Sequence, residues 1–310
     1  MTIKLKRFAL LLLTVASFSV NAQVSIFDAK KLSKIKEGKT YIMVQSIKFP
    51  GASQYLEQAQ KNWTLSKGID FLSPDHQSTL SPNDSFLALE AVTMRSNNIT
   101  NIYYSLSLST LKEKYFTGNR LLRKSDHEPV AAVALSPDEK AFDVKSFFKN
   151  NDFDGGGLLY NWSPGMLHNY LSQITNLLSA GKNVTTRDDI ANKAQLAKLT
   201  TQNLYVPDFN LIRFSPFVGK LEKTADEERL FDDYKYPYKV ITKAELDKMI
   251  TSSDEPAYYL LFVKDSSSKI VCVVNSKTGE TIYSTSKSLS YNLKSGDIKD
   301  LSKQIEKSMR

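Results

Sequence analysis

The residues best spaced to do chemistry are Asn150, Asp152, Asp154 and Gly155: three oxygen-bearing side chains at every second position, then a glycine. That spacing matches the first half of a calcium loop, in which alternate oxygens face one cation and the glycine permits a sharp turn. The twelfth position counted from Asn150 is Asn161, where such a loop places a bidentate Glu, and Gly157 stands where its eighth residue is apolar. Calcium is thus the one cofactor the sequence suggests, set against a plain Asx- and Gly-rich surface turn.

Little else points to a reaction. His76, His127 and His168 are far apart and form no H-x-x-x-H or H-E-x-x-H pair. Ser125-Asp126-His127-Glu128 collects the side-chain types of a triad, but neighbours along an extended chain point in opposite directions, so a charged loop is expected. His168 reads as a partly buried imidazole beside the apolar face of a helix. Cys272 has no disulfide partner in its own chain and sits inside an apolar run, where it reads as a small buried hydrophobe. No G-x-S-x-G elbow, phosphate-cradling glycine loop or dinucleotide fingerprint is present. A non-enzymatic role follows as the expectation.

Tyr234, Tyr236 and Tyr238 alternate with Lys235 and Pro237. Amphipathic rings of this kind are enriched at recognition surfaces, which makes these three the candidate interaction residues. Tyrosines at a strand edge or core rim are the competing reading. The acidic Asp226, Glu227, Glu228, Asp232 and Asp233 read as the solvated face of a helix.

The elements that must position these residues start after an export signal. Lys4, Lys6 and Arg7 precede a 13-residue apolar run, and Val20-Asn21-Ala22 forms a small-residue cleavage site before Gln23. The run is shorter than the roughly 18 residues of a membrane span. A secreted, periplasmic protein with no transmembrane segment after cleavage is expected. Without residues 1–22 the formal charge of +8 falls to +5. The lysines are scattered rather than interleaved with aromatics, so no nucleic-acid partner is expected.

Strand patterns fall at 40–49, 69–72, 86–94 and 99–108, with a helical pattern at 53–65. The second half repeats the order: strand-like at 204–214, helical at 220–234, a strand at 238–241, a helix opened by the Thr242–Glu245 capping box, then three strands across 258–284. An amphipathic terminal helix carries Ile298, Leu301, Ile305 and Met309. Its counterpart runs from Met166 to Leu178, with Ser163 as N-cap and Pro164 at the first position. Residues 47–57 and 212–222 also align without a gap, with four of eleven positions identical. The expected fold is α+β: two related units, each an antiparallel or mixed sheet with packed helices, arising by tandem duplication. The expected boundaries are an N-terminal segment at 23–38, a first unit at 39–181 with an insertion at about 112–162, a connecting helix at 182–200 and a second unit at 201–310.

The element order of the second half, closed by VVNSKTGETIYS, resembles the small α/β domain at the amino terminus of Tol-type periplasmic translocation proteins and of related envelope-assembly proteins. The resemblance covers residues 204–309 and, less fully, 39–111. It rests on element order and one turn, carries over no functional residue, and lacks those proteins' propeller repeats. It implies an interaction or assembly role in a bacterial envelope, with an envelope protein as partner. The alternative is a small-ligand-binding protein or hydrolase with its site between the two units.

Overall fold

The computed structural model describes residues 23–73, 80–96, 99–117, 123–138, 147–149, 151–186, 189–215, 220–264, 268–288 and 290–310. In the first unit, β1 (Val24–Ile26), β2 (Thr40–Met43), β3 (Ile69–Leu72), β4 (Ser85–Ser96), β5 (Ile99–Leu111) and β6 (His127–Leu135) build a sheet of order β1-β6-β5-β4-β2-β3. β2 lies parallel to β3 and β4, and the other pairings are antiparallel.

The second unit contains β7 (Ile190–Ala191), β8 (Leu204–Pro207), a separate hairpin of β9 (Ile212–Ser215) and β10 (Lys220–Thr224), then β11 (Tyr238–Ile241), β12 (Tyr258–Lys264), β13 (Ser268–Asn275) and β14 (Thr281–Ser288). Its sheet runs β11-β8-β12-β13-β14-β7, with β8 parallel to β11 and β12 and the rest antiparallel. Strand for strand, β3 corresponds to β11, β2 to β8, β4 to β12, and so on outward to β1 and β7. The chain is an α+β fold in two similar units.

The helices are α1 (Leu32–Glu37), α2 (Ala52–Asn62), α3 (Glu113–Phe116), α4 (Pro164–Ser179), α5 (Lys193–Leu196), α6 (Glu227–Phe231), α7 (Lys243–Ser252) and α8 (Ser295–Ser308). Helix α4 starts as its sequence dictates: the Ser163 hydroxyl accepts the Met166 amide at 3.2 Å, and Pro164 takes the first position. Met166, Leu167, Tyr170, Leu171, Ile174 and Leu178 are wholly buried. They share one core with Ile42, Leu87 and Leu106 of the first sheet and with Tyr259, Leu261, Cys272 and Val274 of the second. The opposite face of the second sheet, with Tyr258, Leu260, Phe262, Val271 and Val273, packs under Ile298, Leu301 and Ile305 of α8. Buried on both faces, β12 and β13 read as continuous apolar runs instead of alternating ones.

Several expectations change. Residues 220–234 are not one helix. Lys220 and Leu221 pair with Ser215 and Phe214 in the β9–β10 hairpin, and α6 occupies only Glu227–Phe231. The aligned stretches 47–57 and 212–222 therefore fall on unlike elements, a loop leading into α2 against a hairpin, and the likeness of the units rests on topology. The connecting helix gives way to β7, because Ile190 and Ala191 pair with Ser284 and Tyr283; the short α5 begins only after Asn192, whose side chain caps it. The insertion at 112–162 contains β6, the third strand of the first unit's meander.

Candidate functional site

Two six-stranded sheets present four edges, and they differ in how far they are covered. β1 is covered by Val184, which exchanges both backbone hydrogen bonds with Ile26 at 2.9 and 3.1 Å. β7 is only two residues long and covers β14 at Tyr283 and Ser284 alone, so residues 285–288 run past it without a partner strand on that side among the described residues. On β3 the Phe71 amide, which points away from β2, donates to the Asp70 carboxylate at 2.8 Å, and the Ile69 carbonyl accepts from the Gln60 side chain at 3.5 Å.

The corresponding edge of the second unit, β11, is different. Leu204 donates its amide to the Pro237 carbonyl at 3.0 Å, which sets the phase of the parallel ladder. Lys239 and Ile241 then turn their amides toward β8, while the N–H and C=O groups of Tyr238 and Val240 point outward. Among the described residues none of these four outward groups has a hydrogen-bond partner.

Beside this edge the three candidate tyrosines come together. Tyr238 stacks on Phe231 with centroids 4.4 Å apart and planes 16° from parallel. Tyr234 meets Phe231, Tyr236 and Tyr238 edge-on at 6.0, 5.7 and 6.1 Å. Tyr234 is buried at the core rim, and its hydroxyl has no hydrogen-bond partner among the described residues. Tyr236 and Tyr238 stay half-buried and form a ledge along β11. Burial and the neighbouring Glu227 and Glu228 carboxylates raise the Tyr238 hydroxyl above its usual range. The ledge is anchored by Asp226, which caps α6 through the Arg229 amide, by Lys235 paired with Glu306 at 2.8 Å, and by Lys299 paired with Asp233 at 3.3 Å.

The other candidates lie elsewhere. Asn150 falls outside the described residues. The Asp152 carboxylate accepts the amides of Gln45 at 3.0 Å, Phe153 at 2.8 Å and Ser46 at 2.6 Å, and Asp154 accepts the Gly156 amide at 3.0 Å. Gly155, Gly156 and Gly157 follow at φ of 67°, 56° and 74°, a left-handed run suited to glycine. Among the described residues no group of three or more His, Cys, Asp or Glu side chains could hold a metal ion. His76 lies outside the described residues, and His168 sits where α2 meets α4, its Nδ1 within 2.8 Å of Asn62 and 3.1 Å of Gln58. His127 and Glu128 open β6 instead of belonging to a loop, bonded to Ser109 at 2.7 Å and Lys31 at 2.7 Å. Burial pushes the Cys272 thiol up to about 12.

Between the two units the chain is packed. Helix α4 fills the space, the Asn169 amide donates to the Tyr259 hydroxyl at 3.1 Å, and the Lys264 amide reaches across to the Ser136 hydroxyl at 2.9 Å. No helix among the described residues is long and apolar enough to cross a membrane. Comparison with known families, with characterised proteins and with solved structures finds no match to this chain.

Proposed function

We propose that this chain is an exported, non-enzymatic interaction or assembly module of a bacterial cell envelope, which holds an extended segment of a partner protein as an added strand on β11. The observation that carries this reading is the contrast between two corresponding edges. The first unit bonds two of the four outward groups of β3 with its own Asp70 and Gln60, while the second leaves all four of Tyr238 and Val240 open beside an aromatic ledge. Strand addition draws affinity from main-chain hydrogen bonds and selectivity from surfaces that meet alternate side chains, and β11 with Tyr236 and Tyr238 offers both. The signal-like residues 1–22 support export, and the resemblance of residues 204–309 to Tol-type amino-terminal domains supports an envelope role. A site between the units has no such support, because α4 and its neighbours fill that space.

The reading is tested by selecting displayed peptides on the immobilised protein and on Val240→Pro. Proline at 240 deletes an outward N–H, exchanges one half-buried apolar side chain for another and leaves the ladder to β8 intact, as prolines on edge strands do. Peptides enriched by the native protein are expected to lose binding to the variant. No enrichment, or enrichment indifferent to the substitution, would sink the proposal.

A further inference from the structure

Resting on strand addition at β11, we propose that the segment taken up is cationic, an extended stretch of a partner protein with Lys or Arg at alternate positions. The charges around the edge are unevenly matched. The stack of Tyr238 on Phe231 sets the edge against the helix that bears Glu227 and Glu228 and is followed by Asp232, and burial together with these carboxylates raises the Tyr238 hydroxyl above its usual range. Glu228 and Asp232 are exposed and make no ion pair among the described residues. Of the nearby cations, Lys235 is paired with Glu306 at 2.8 Å and Lys299 with Asp233 at 3.3 Å, which leaves Arg229 and Lys239 against the three carboxylates of Glu227, Glu228 and Asp232. The open edge is therefore locally negative on a chain whose formal charge is +8. Such a field attracts a cationic partner and repels a nucleic-acid phosphate.

The geometry fits the same occupant. Tyr238 and Val240 share the face of β11 that packs with α6 and α8. An added strand would direct every second side chain to that face. A Lys or Arg there lays its methylene stem along the rings of Tyr236 and Tyr238 and extends its charge to Glu228 and Asp232. Self-association of two copies is a poorer fit, since it would set the Glu227, Glu228 and Asp232 carboxylates of one edge against those of the other.

The test uses three peptides of about eight residues, the usual upper range of a strand, with one Val/Thr framework and Lys, Gln or Glu at alternate positions. Binding to the purified protein is followed by fluorescence anisotropy. The Lys peptide is expected to bind about tenfold more tightly than the Gln peptide at low salt. That advantage is expected to shrink as ionic strength rises past about 0.15 M. The double substitution Glu228→Gln with Asp232→Asn should remove the advantage and leave Gln-peptide binding unchanged. Val240→Pro should abolish binding of all three, with Tyr236→Ala as the second probe if that variant does not fold. Equal binding of Lys and Glu peptides that Val240→Pro still abolishes would overturn the charge assignment and leave strand addition standing. Binding indifferent to Val240→Pro and to Tyr236→Ala, or no binding by any peptide, would overturn both. Dimerisation of the free protein that Val240→Pro abolishes would assign the edge to a second copy and equally overturn the inference.

Discussion

The ring of Tyr238 lies flat on that of Phe231, 4.4 Å between centroids and 16° between planes. Phe231 ends α6 and Tyr238 opens β11, so the stack ties the helix bearing the acidic residues to the open sheet edge. Phe231 is buried, and Phe231→Ala is expected to cost about 3–5 kcal/mol in urea denaturation, the range for an emptied aromatic site. Tyr238→Ala removes a half-buried ring and should cost about 1–3 kcal/mol, the worth of its two aromatic pairs, with Phe231 and Tyr234. Equal costs would show that the stack is not what holds the ledge.

Asn210 stands in for a strand. β8 pairs with β12 only at Tyr258 and Tyr259, and beyond them the Asn210 carboxamide donates to the Leu260 carbonyl at 2.8 Å and accepts the Phe262 amide at 3.3 Å. Asn210→Ala leaves two buried backbone groups unpaired, at about 1–3 kcal/mol each. Denaturant titration should register that loss, and amide exchange should localise it to Phe262. A change below the scatter of surface substitutions would refute this role.

Asp297 lies buried between Lys269, with which it forms a close ion pair, and Lys287 at 2.9 Å. Burial pushes its carboxyl pKa up, but the hydrogen bonds and charges of the two lysines outweigh that and hold it below the usual range. A depressed folded pKa means that the folded state binds fewer protons than the unfolded state. Its stabilisation is therefore full above the unfolded value of about 3.9 and is lost as pH falls below it. Asp297→Asn should flatten that acid limb of the stability profile. It should also cost about 3–5 kcal/mol near neutrality, because it leaves the Lys269 charge buried without its partner.

Gly165 and Asp247 couple the units. The Gly165 amide in the first turn of α4 donates to the Asp247 carboxylate of α7 at 2.6 Å. A Cβ on Gly165 would lie 2.6 Å from that oxygen and 3.0 Å from the Asp247 carbonyl, so Gly165→Ala must separate the helices. Asp247→Ala loses a helix-end acceptor, worth about 0.5–2 kcal/mol. Both variants should lower the melting temperature, Gly165→Ala the more, and the reverse order would argue against close approach at this point.

What the sequence made legible was local. The Ser163 and Thr242 caps lie three residues from the amides they accept, and Tyr238–Ile241 is a strand in fact as in pattern. What it hid was decided across the chain. Leu221, Ala225, Phe231 and Tyr234 suggest a helix, yet the first of them sits in a strand because Phe214 pairs with it. β6 opens on His127-Glu128-Pro129, which reads as a loop; the proline is tolerated where the register with β5 shifts between Leu108 and Ser109. The three tyrosines were visible, but the open edge beside them was not. β11 is an edge only because β8, more than thirty residues earlier in the chain, inserts between it and β12.

Residue-resolved amide hydrogen exchange across β11, in the free protein and with a saturating Lys-bearing strand peptide, tests the central claim most directly. The expected pattern alternates: Lys239 and Ile241 protected throughout, Tyr238 and Val240 exchanging fast in the free protein and slowing when the peptide is added. Protection of Tyr238 and Val240 without peptide, or exchange there that the bound peptide leaves unchanged, would contradict it.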